Sequence, residues 1–237
     1  MDDNIYNPTY VKGLFNKMSS SYEKMNYITS FGFSIRWRRQ FLSDFKSSFE
    51  KVEIIDILTG MGETWPAVKQ KLPNAAITAL DFADEMLEYA KKNNNSRFDS
   101  SITLIQQDIL QNSLPGNHFD FVTCAFGLKT FDKEQLRILA NEVKRILKPG
   151  GKFSFVEVSK PDNKILSTLY GFYLGRVIPV LGRYFLGNSV EYKMLWHYTF
   201  KFGNAKVTSE IFKEVGLRNL KYSSYFLGCA TGFSGLK

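Results

Sequence analysis

A regular alternation of short apolar segments with amphipathic helical segments between residues 52 and 158 most constrains how this chain can fold. Predicted strands, rich in β-branched or aromatic residues, occupy 52–58, 76–80, 102–106, 119–125 and 152–158, and apolar residues at helical spacing fill several of the intervals. This alternation is typical of a parallel sheet with helices on both faces. We therefore predict an α/β fold with a doubly wound sheet, in which ligands bind beyond the carboxyl ends of the strands.

Two segments of the 237-residue chain fall outside this alternation. Residues 1–50 are polar and aromatic with helical spacing, and the serine run at 19–21 indicates a capped helix start, so we predict an N-terminal helical cover. Residues 51–237 form the main domain, including a helical lid insertion over about 160–205. The most apolar stretch, 165–186, is interrupted by two arginines and a proline. A bilayer-spanning helix needs about 20 nearly uncharged residues, so we predict an amphipathic segment there.

Local signals predict where the helices between the strands end. Apolar residues at helical spacing predict helices over Asp84–Lys92 and 134–147, the second stopped by the sequence Lys-Pro-Gly-Gly at 148–151. The run Asn93-Asn94-Asn95-Ser96 predicts a loop after the first of these helices. A last helix near 208–215 and two strands complete the chain.

The charge balance favours an anionic partner without choosing one. Lys and Arg number 31 against 23 Asp and Glu, a formal net charge of +8, which favours nucleic acid, phosphorylated substrates or acidic lipid. The basic residues form separate clusters at 36–39, 91–92 and 144–148 rather than one stripe. We therefore expect no specific nucleic-acid partner.

Cysteine and histidine usage argues against a metal or disulfide framework. Cys124, Cys229, His118 and His197 are too few for either, and we expect a packed Cys124 and a solvated His118. The acidic start of the chain lacks the basic and apolar pattern of a secretory signal. A cytoplasmic protein is the expectation, with contact to a membrane surface and a homodimeric assembly kept open.

A glycine turn, Thr59-Gly60-Met61-Gly62, follows the first predicted strand and precedes a helix. Gly60 and Gly62 would let a nucleotide-like ligand approach the backbone, and the helix amino end attracts negative charge. The dinucleotide fingerprint needs a third glycine where this chain has Trp65, so NAD and FAD are disfavoured. The absence of a following Gly-Lys-Ser/Thr likewise excludes the phosphate loop of NTPases.

Acidic residues follow the next two strands in the order that an adenosine requires. Asp81, on the second strand, suits the two ribose hydroxyls, and Asp108, after the third, suits the adenine amino group. Phe82, Ile109 and Phe126 are placed to sandwich the base. The alternative is that each acid is a solvated turn residue.

With these residues in place, the chain resembles S-adenosylmethionine-dependent methyltransferases, and specifically the ubiquinone/menaquinone biosynthesis C-methyltransferase family. The resemblance covers nearly the whole chain. It rests on strings found in the family's order: Phe15-Asn16, Tyr22-Glu23-Lys24-Met25-Asn26, Ser30-Phe31-Gly32, Trp37-Arg38-Arg39, Asp56-Ile57-Leu58-Thr59-Gly60-Met61-Gly62, Ala125-Phe126-Gly127-Leu128, Leu147-Lys148-Pro149-Gly150-Gly151, Glu157-Val158-Ser159-Lys160-Pro161, and Tyr173-Leu174 through Pro179-Val180-Leu181-Gly182. The N-terminal strings and the stretch from 157 to 182 are the most particular to this family.

The resemblance implies a Rossmann-like methyltransferase sheet and S-adenosylmethionine as the cofactor. Together with the reading of the turn and the strand ends, it identifies one set of candidate cofactor-binding residues. They are Arg38, Asp56, Gly60, Met61, Gly62, Asp81, Phe82, Asp108, Ile109, Ala125 and Phe126.

The chain departs from the family pattern mainly where the substrate is expected. Lys129-Thr130 stands where the family usually has Arg-Asn, and a point charge does not replace a planar bidentate donor equivalently. Met61 replaces a small hydroxyl residue in the cofactor turn. The segments 196–202 and 233–234 are more aromatic than their family counterparts.

Methyl transfer from a sulfonium needs alignment above all, so the demanding step is making a nucleophile. Ionising a hydroxyl activates the neighbouring carbon of an aromatic ring, and a base or a cation near that oxygen would help. The polar candidates for this catalytic role are Tyr22, Lys129, Glu157, Tyr192 and His197. The alternative roles are a solvated charge for Lys129, packing for Tyr192 and a hydrogen-bonded lid residue for His197.

The function predicted from sequence is methylation of a hydrophobic aromatic small molecule. The family implies C-methylation of a demethylated prenyl quinol, with the lipid tail under residues 165–186 and basic residues facing an acidic bilayer. A different aromatic or specialised metabolite, methylated on carbon, oxygen or nitrogen, is the first alternative. An RNA-modifying protein and a non-catalytic binder are more remote ones.

Overall fold

The computed structural model describes residues 5–19, 27, 30, 32–180 and 189–237, with the backbone alone at 189–193. The described residues form a seven-stranded sheet of order β3-β2-β1-β4-β5-β7-β6. The strands are β1 Glu53–Ile57, β2 Ala76–Asp81, β3 Thr103–Gln106, β4 Phe119–Ala125, β5 Leu147–Val158, β6 Arg218–Tyr225 and β7 Ala230–Leu236. β1 to β5 are parallel, and β7 is antiparallel to both β5 and β6. The predicted doubly wound sheet is therefore confirmed.

Eight α-helices are described around this sheet. They are α1 Pro8–Met18, α2 Phe33–Gln40, α3 Trp65–Lys71, α4 Asp84–Arg97, α5 Lys133–Ile146, α6 Lys164–Phe172, α7 Ser189–Phe202 and α8 Lys206–Glu214. A π-helical turn, Tyr173–Val177, continues α6. The predicted helix start at Ser19-Ser20-Ser21 is not found at Ser19, which caps the end of α1, and its other two residues lie outside the described part of the chain.

Helix α5 shows how local sequence sets a boundary. The Asp132 side chain accepts a hydrogen bond from the Gln135 backbone N–H at 2.8 Å, and the Gln135 side chain accepts one from the Asp132 N–H at 3.0 Å. This capping box satisfies two of the free N–H groups of the first turn. Leu136, Leu139 and Val143 lie on one buried face, as helical spacing requires.

Helix α4 is longer than the sequence predicts, because tertiary contacts hold its asparagines. The run 93–96 is helical to Arg97 and is not a loop. The Asn94 side chain donates to the Ile102 carbonyl at 2.8 Å and accepts from the Ile102 N–H at 3.2 Å. Asn93 donates to the Met61 carbonyl at 2.9 Å. These bonds outweigh the weak helix propensity of asparagine.

The helices cover the sheet on both faces and at the carboxyl ends of the strands. One core cluster lies around Phe153 and Phe212 on the side of α5 and α8, and a second lies around Trp37 and Trp65 on the side of α2, α3 and α4. A third cluster joins α1, the start of α4, the π-helical turn and α7. None of the described helices is both long enough and apolar enough to cross a membrane.

Candidate active site

The glycine turn after β1 is tight enough to require residues without side chains. Gly60 and Gly62 have φ of +59° and +86°, in the left-handed region that favours glycine. A Cβ on Gly62 would lie 2.5 Å from the ring of Trp65 at the start of α3. The turn is tied to the next strand, since the Thr59 N–H donates to the Leu80 carbonyl at 3.0 Å.

Asp56 lies beneath this turn, with 1% of its surface exposed. Its carboxylate accepts hydrogen bonds from the hydroxyls of Thr59 at 2.6 Å and Thr123 at 2.8 Å. The Thr59 hydroxyl in turn accepts from the indole N–H of Trp65 at 2.9 Å. Burial raises the pKa of Asp56 to about 6. The hydrogen bonds of Asp56 therefore stabilise the conformation of the turn. Its buried carboxylate has no exposed surface that could contact a ligand.

Asp81, the last residue of β2, faces the turn from the neighbouring strand. Its Oδ2 accepts from the Gly60 N–H at 2.8 Å and its Oδ1 from the Ala83 N–H at 3.0 Å. Burial raises the pKa of this carboxyl above its ordinary value. A carboxylate has about four acceptor positions, so Asp81 can accept further hydrogen bonds from a ligand.

An opening at the carboxyl ends of β1, β2 and β4, which we name the strand-end cleft, brings most of the predicted cofactor residues together. Its lining includes Arg38, Gly60, Asp81, Phe82, Ala125 and Phe126. A smaller side pocket shares Phe82 with the cleft and contains Asp108. Val11 and Phe15 of α1 also line the cleft, whose volume is about 40 Å³, room for only a few water molecules.

Four predicted cofactor residues lie outside both the cleft and the side pocket: Asp56, described above, and Met61, Gly62 and Ile109. Ile109 is 1% exposed, because its side chain packs in the core cluster on the α5 side. The expectation that this side chain stacks on an adenine base is therefore corrected. Met61 packs with Met18 and Met86 in the apolar cluster under α1. Gly62 lines a separate and larger cavity.

Other residues of the cleft lining were missed by the sequence reasoning. They are Val11, Phe15, Glu63, Met86 and Thr130, together with Leu58, Thr59 and Gly127 of the two turns. Phe15 and Thr59 belong to family strings, and Glu63 directly follows Gly62, so proximity to a motif is the signal that would have found them. Val11 and Met86 reach the cleft only through the packing of α1 and α4.

Phe126 holds an unusual backbone conformation at the end of β4. Its φ of +69° is rare for a residue other than glycine, and its N–H donates to the Val156 carbonyl at 2.8 Å. The Arg38 guanidinium lies 4.8 Å from the centre of the Phe126 ring, within cation–π range. A Cβ on Gly127 would lie 2.5 Å from Leu58, so the turns after β1 and β4 are in close contact.

Lys129 and Glu157, predicted as catalytic, are bonded to each other behind the turn that follows β4. Lys129 Nζ lies 2.7 Å from Glu157 Oε1 and donates to the Phe126 carbonyl at 2.8 Å. The Lys129 backbone N–H donates to Glu157 Oε2 at 3.1 Å, and the Val158 N–H donates to Oε1 at 2.7 Å. Their side chains are 5% and 0% exposed, and neither lines the strand-end cleft. The expectation of a solvated or acceptor-facing Lys129 is corrected, because the buried carboxylate of Glu157 holds its ammonium.

The remaining catalytic candidates lie in the helical cover and the predicted lid. His197 is half-buried on α7 and is not in the lining of the strand-end cleft or the side pocket. The next residue, Tyr198, is fully buried, and its hydroxyl donates to the Ile5 carbonyl, which ties α7 to the segment before α1. Tyr192 is on α7, but its side chain is outside the described part of the chain, as is all of Tyr22.

The expectations for two further polar residues are confirmed. Cys124 is fully buried inside β4, and burial raises the pKa of its thiol. His118 is exposed in the turn before β4. Neither residue is placed for chemistry in the cleft.

The donor set of the cleft and side pocket fits S-adenosylmethionine. The Asp81 carboxylate suits a ribose diol, and the half-buried Asp108 beside Phe82 supplies an acceptor and an apolar ring where an adenine would be read. Gly60, which has no side chain, leaves the backbone beside Asp81 open to a ligand. The residues present therefore satisfy the hydrogen-bonding and stacking requirements of the adenosine part of the cofactor.

The sheet order and the acid-lined cleft define the class: a Rossmann-like, S-adenosylmethionine-dependent methyltransferase. Solved structures share the fold. A SAM-dependent methyltransferase from Thermotoga maritima matches with a TM-score of 0.66 at 16% identity, covering 95% of this chain and 99% of that one. A Haemonchus contortus phosphoethanolamine N-methyltransferase in complex with S-adenosyl-L-methionine matches with a TM-score of 0.65 at 16% identity, covering 99% of this chain and 59% of that one.

The chain belongs to the ubiE/COQ5 methyltransferase family, whose model matches residues 4–237. A protein named demethylmenaquinone methyltransferase from Staphylococcus aureus is 29% identical over 238 residues, covering 100% of this chain and 97% of that protein. The family suggested by the sequence motifs is thereby confirmed, and S-adenosylmethionine is the cofactor.

Proposed function

We propose that this enzyme methylates a ring carbon of a demethylated prenyl quinol. The observation that carries the proposal is the match to demethylmenaquinone methyltransferases over the whole chain. Methyltransferases for many acceptors share the sheet, so similarity limited to the sheet would leave the acceptor open. Here the similarity also includes residues 160–205 and residues 1–50, and Val11, Phe15 and Arg38 of the latter line the strand-end cleft.

In this proposal the cofactor extends along the carboxyl ends of the strands. Asp81 accepts the ribose hydroxyls, Asp108 accepts from the adenine amino group, and Phe82 and Phe126 provide apolar contacts. Gly60 allows close approach of the backbone. When bound, S-adenosylmethionine supplies an electrophilic methyl group on a sulfonium.

His197 is the proposed base that ionises the quinol hydroxyl. His197 is half-buried on α7, next to Tyr198, which ties this helix to the N-terminal segment. Imidazole is the side chain best suited to proton transfer near neutral pH. Exclusion of water beneath α1 and α7 would strengthen this interaction.

The test is methylation by the purified enzyme of a short-chain demethylmenaquinol kept reduced, with the product's new methyl carbon assigned by NMR. We expect a carbon–carbon bond on the quinol ring, and restored menaquinone or ubiquinone in cells that lack the corresponding methylation step. Catechols and small hydroxylated aromatics serve as competing acceptors. Methylation confined to oxygen or nitrogen of those competitors would contradict the proposal and support the alternative of a different aromatic metabolite.

We also propose that the enzyme collects its acceptor at an acidic bilayer surface through α6. Ile165, Leu169 and Phe172 lie on one face of this helix and are 75%, 62% and 58% exposed, while Leu166 and Tyr170 on the other face pack against the core. An apolar face of this kind on a folded protein indicates an interaction surface.

The charges near α6 favour an anionic lipid surface. The segment from 160 to 180 contains three basic residues, Lys160, Lys164 and Arg176, and one acidic residue, Asp162, which give it a local net charge of +3 − 1 = +2. Co-sedimentation with phosphatidylglycerol vesicles should exceed that with phosphatidylcholine vesicles and decline with salt. Leu169→Ser should weaken it severalfold, and Ile138→Ser, an exposed apolar residue on α5, should not. Equal effects of the two substitutions would contradict this role of α6.

A further inference from the structure

Two oppositely charged side chains meet at one wall of the strand-end cleft. Arg38 comes from α2, and Glu63 directly follows the glycine turn; Nη2 of Arg38 and Oε1 of Glu63 are 3.6 Å apart, with side chains 9% and 12% exposed. Both residues line the cleft, and both also line the larger cavity, of about 530 Å³, between α2, α3 and α4.

The hydrogen-bonding capacity of this pair is incompletely used. Within the described part of the chain, Nε of Arg38 and Oε1 of Glu63 are buried atoms without a hydrogen-bond partner, while Glu63 Oε2 accepts from the Met61 N–H at 3.2 Å. Buried charged groups that lack partners are costly. The wall therefore offers one free cationic donor and one free anionic acceptor to a ligand.

The position of the pair indicates which part of a ligand it meets. Arg38 and Glu63 share the cleft with Gly60 and Asp81, on the side away from Asp108 and the side pocket. The Arg38 guanidinium is held over the Phe126 ring, which limits its motion. A ligand whose ribose lies at Asp81 would extend its other end to this wall.

We propose that Arg38 and Glu63 recognise the amino-acid end of S-adenosylmethionine, Arg38 binding the carboxylate and Glu63 the ammonium. This inference rests on the proposed binding of the adenosine at Asp81 and Asp108. A zwitterion carries the two charges that the wall lacks, and charge-assisted hydrogen bonds to both would satisfy the buried atoms.

The side chain of residue 61 supplies little polar contact beside this wall. The thioether of Met61 is buried with Met18 and Met86 and is at best a weak acceptor. Polar recognition by side chains at this wall therefore depends on Arg38 and Glu63.

The test compares ligands that share the nucleoside and differ in the amino-acid end. Calorimetric titration uses S-adenosylhomocysteine, decarboxylated S-adenosylmethionine, which keeps the ammonium, and 5′-methylthioadenosine, which lacks both charges. Arg38→Met should weaken S-adenosylhomocysteine about 10- to 100-fold and leave the other two ligands within about twofold. Glu63→Gln should weaken both ammonium-bearing ligands and leave 5′-methylthioadenosine unchanged.

Arg39→Met is the matched control, because Arg39 lines the larger cavity but not the cleft; it should change none of the three affinities. Arg38→Lys keeps the positive charge without the planar guanidinium and should lose an intermediate amount of affinity for S-adenosylhomocysteine. This variant replaces Arg38→Met if Arg38→Met does not fold. Loss of 5′-methylthioadenosine binding in step with the other ligands, or unchanged S-adenosylhomocysteine binding in Arg38→Met, would overturn the inference. Failure of the unmodified enzyme to bind any of the three would instead refute the adenosine site itself.

Discussion

Removing Lys129 from its buried ion pair with Glu157 tests whether the pair holds the turn after β4. In Lys129→Met the Glu157 carboxylate, 0% exposed, keeps the backbone N–H donors of residues 129 and 158 but loses the ammonium at 2.7 Å. Breaking a buried pair costs about 3–5 kcal/mol, and the two remaining donors favour the lower value of about 3 kcal/mol. For a chain of 237 residues this lowers Tm by about 6–12 °C.

The measurement is thermal and urea unfolding of Lys129→Met, Glu157→Gln and the double variant Lys129→Met/Glu157→Leu. Replacing both charges with apolar groups removes the unpaired carboxylate, so the double variant should recover most of the lost stability. Lys133→Met, at the exposed start of α5, is the control for loss of a surface lysine and should change Tm by less than about 2 °C.

Two results would refute this reasoning. A fall in Tm of less than about 2 °C for Lys129→Met would show that Glu157 does not depend on the ammonium. A double variant as unstable as the single one would show that the lost contacts are not those of the ion pair. Turnover of the double variant is measured separately. If its stability is recovered and its activity is full, both residues serve the structure of the turn, and their predicted catalytic roles are contradicted.

Three further variants test the site. Burial raises the pKa of Asp56 from 3.8 to about 6, so the contribution of Asp56 to stability is complete below pH 4 and is lost as pH rises through 6. The free energy of urea unfolding of the unsubstituted enzyme should therefore fall by about 3 kcal/mol over this range, and in Asp56→Asn this fall should be absent. Gly62→Ala should destabilise by about 1–3 kcal/mol more than Gly150→Ala, since both have positive φ but only the first places a Cβ 2.5 Å from Trp65; equal losses would exclude the ring contact as the cause. His197→Gln should lower kcat by about 100-fold or more and leave cofactor affinity unchanged; an unchanged kcat would exclude His197 as the base.

The strands and the glycine turn were predictable because they depend on short-range pattern. Four strands were placed within one residue at each end, since apolar runs bounded by turns carry that information locally. The fifth begins at Leu147, five residues before the predicted start, and includes the predicted turn at 148–151. Asp81 and Asp108 were expected at one edge because parallel strands bring their carboxyl ends together. Residues 93–96 were predicted as a loop because asparagines favour turns, and the bonds to Ile102 and Met61 that keep them helical join residues that are not local in sequence.

The catalytic predictions show the same division. Glu157 and Lys129 were each predicted as catalytic candidates by sequence, but their ion pair depends on the turn of 126–130 folding back over β5. Glu63 was not predicted at all, because its importance comes from meeting Arg38 across 25 residues of chain. Pairings between distant side chains are invisible to periodicity.

The alternation of strands and helices, the need for glycine at the first turn and the family were determined by the amino-acid sequence alone, because each depends on local pattern or on contiguous strings. Which polar groups face a ligand and which neutralise one another was decided only by the tertiary structure. Burial makes an unpaired charge costly, so each ionisable side chain at the carboxyl edge of the sheet takes the partner that folding brings within reach. For Lys129 that partner is Glu157, whereas Nε of Arg38 and Oε1 of Glu63 have no hydrogen-bond partner among the described residues.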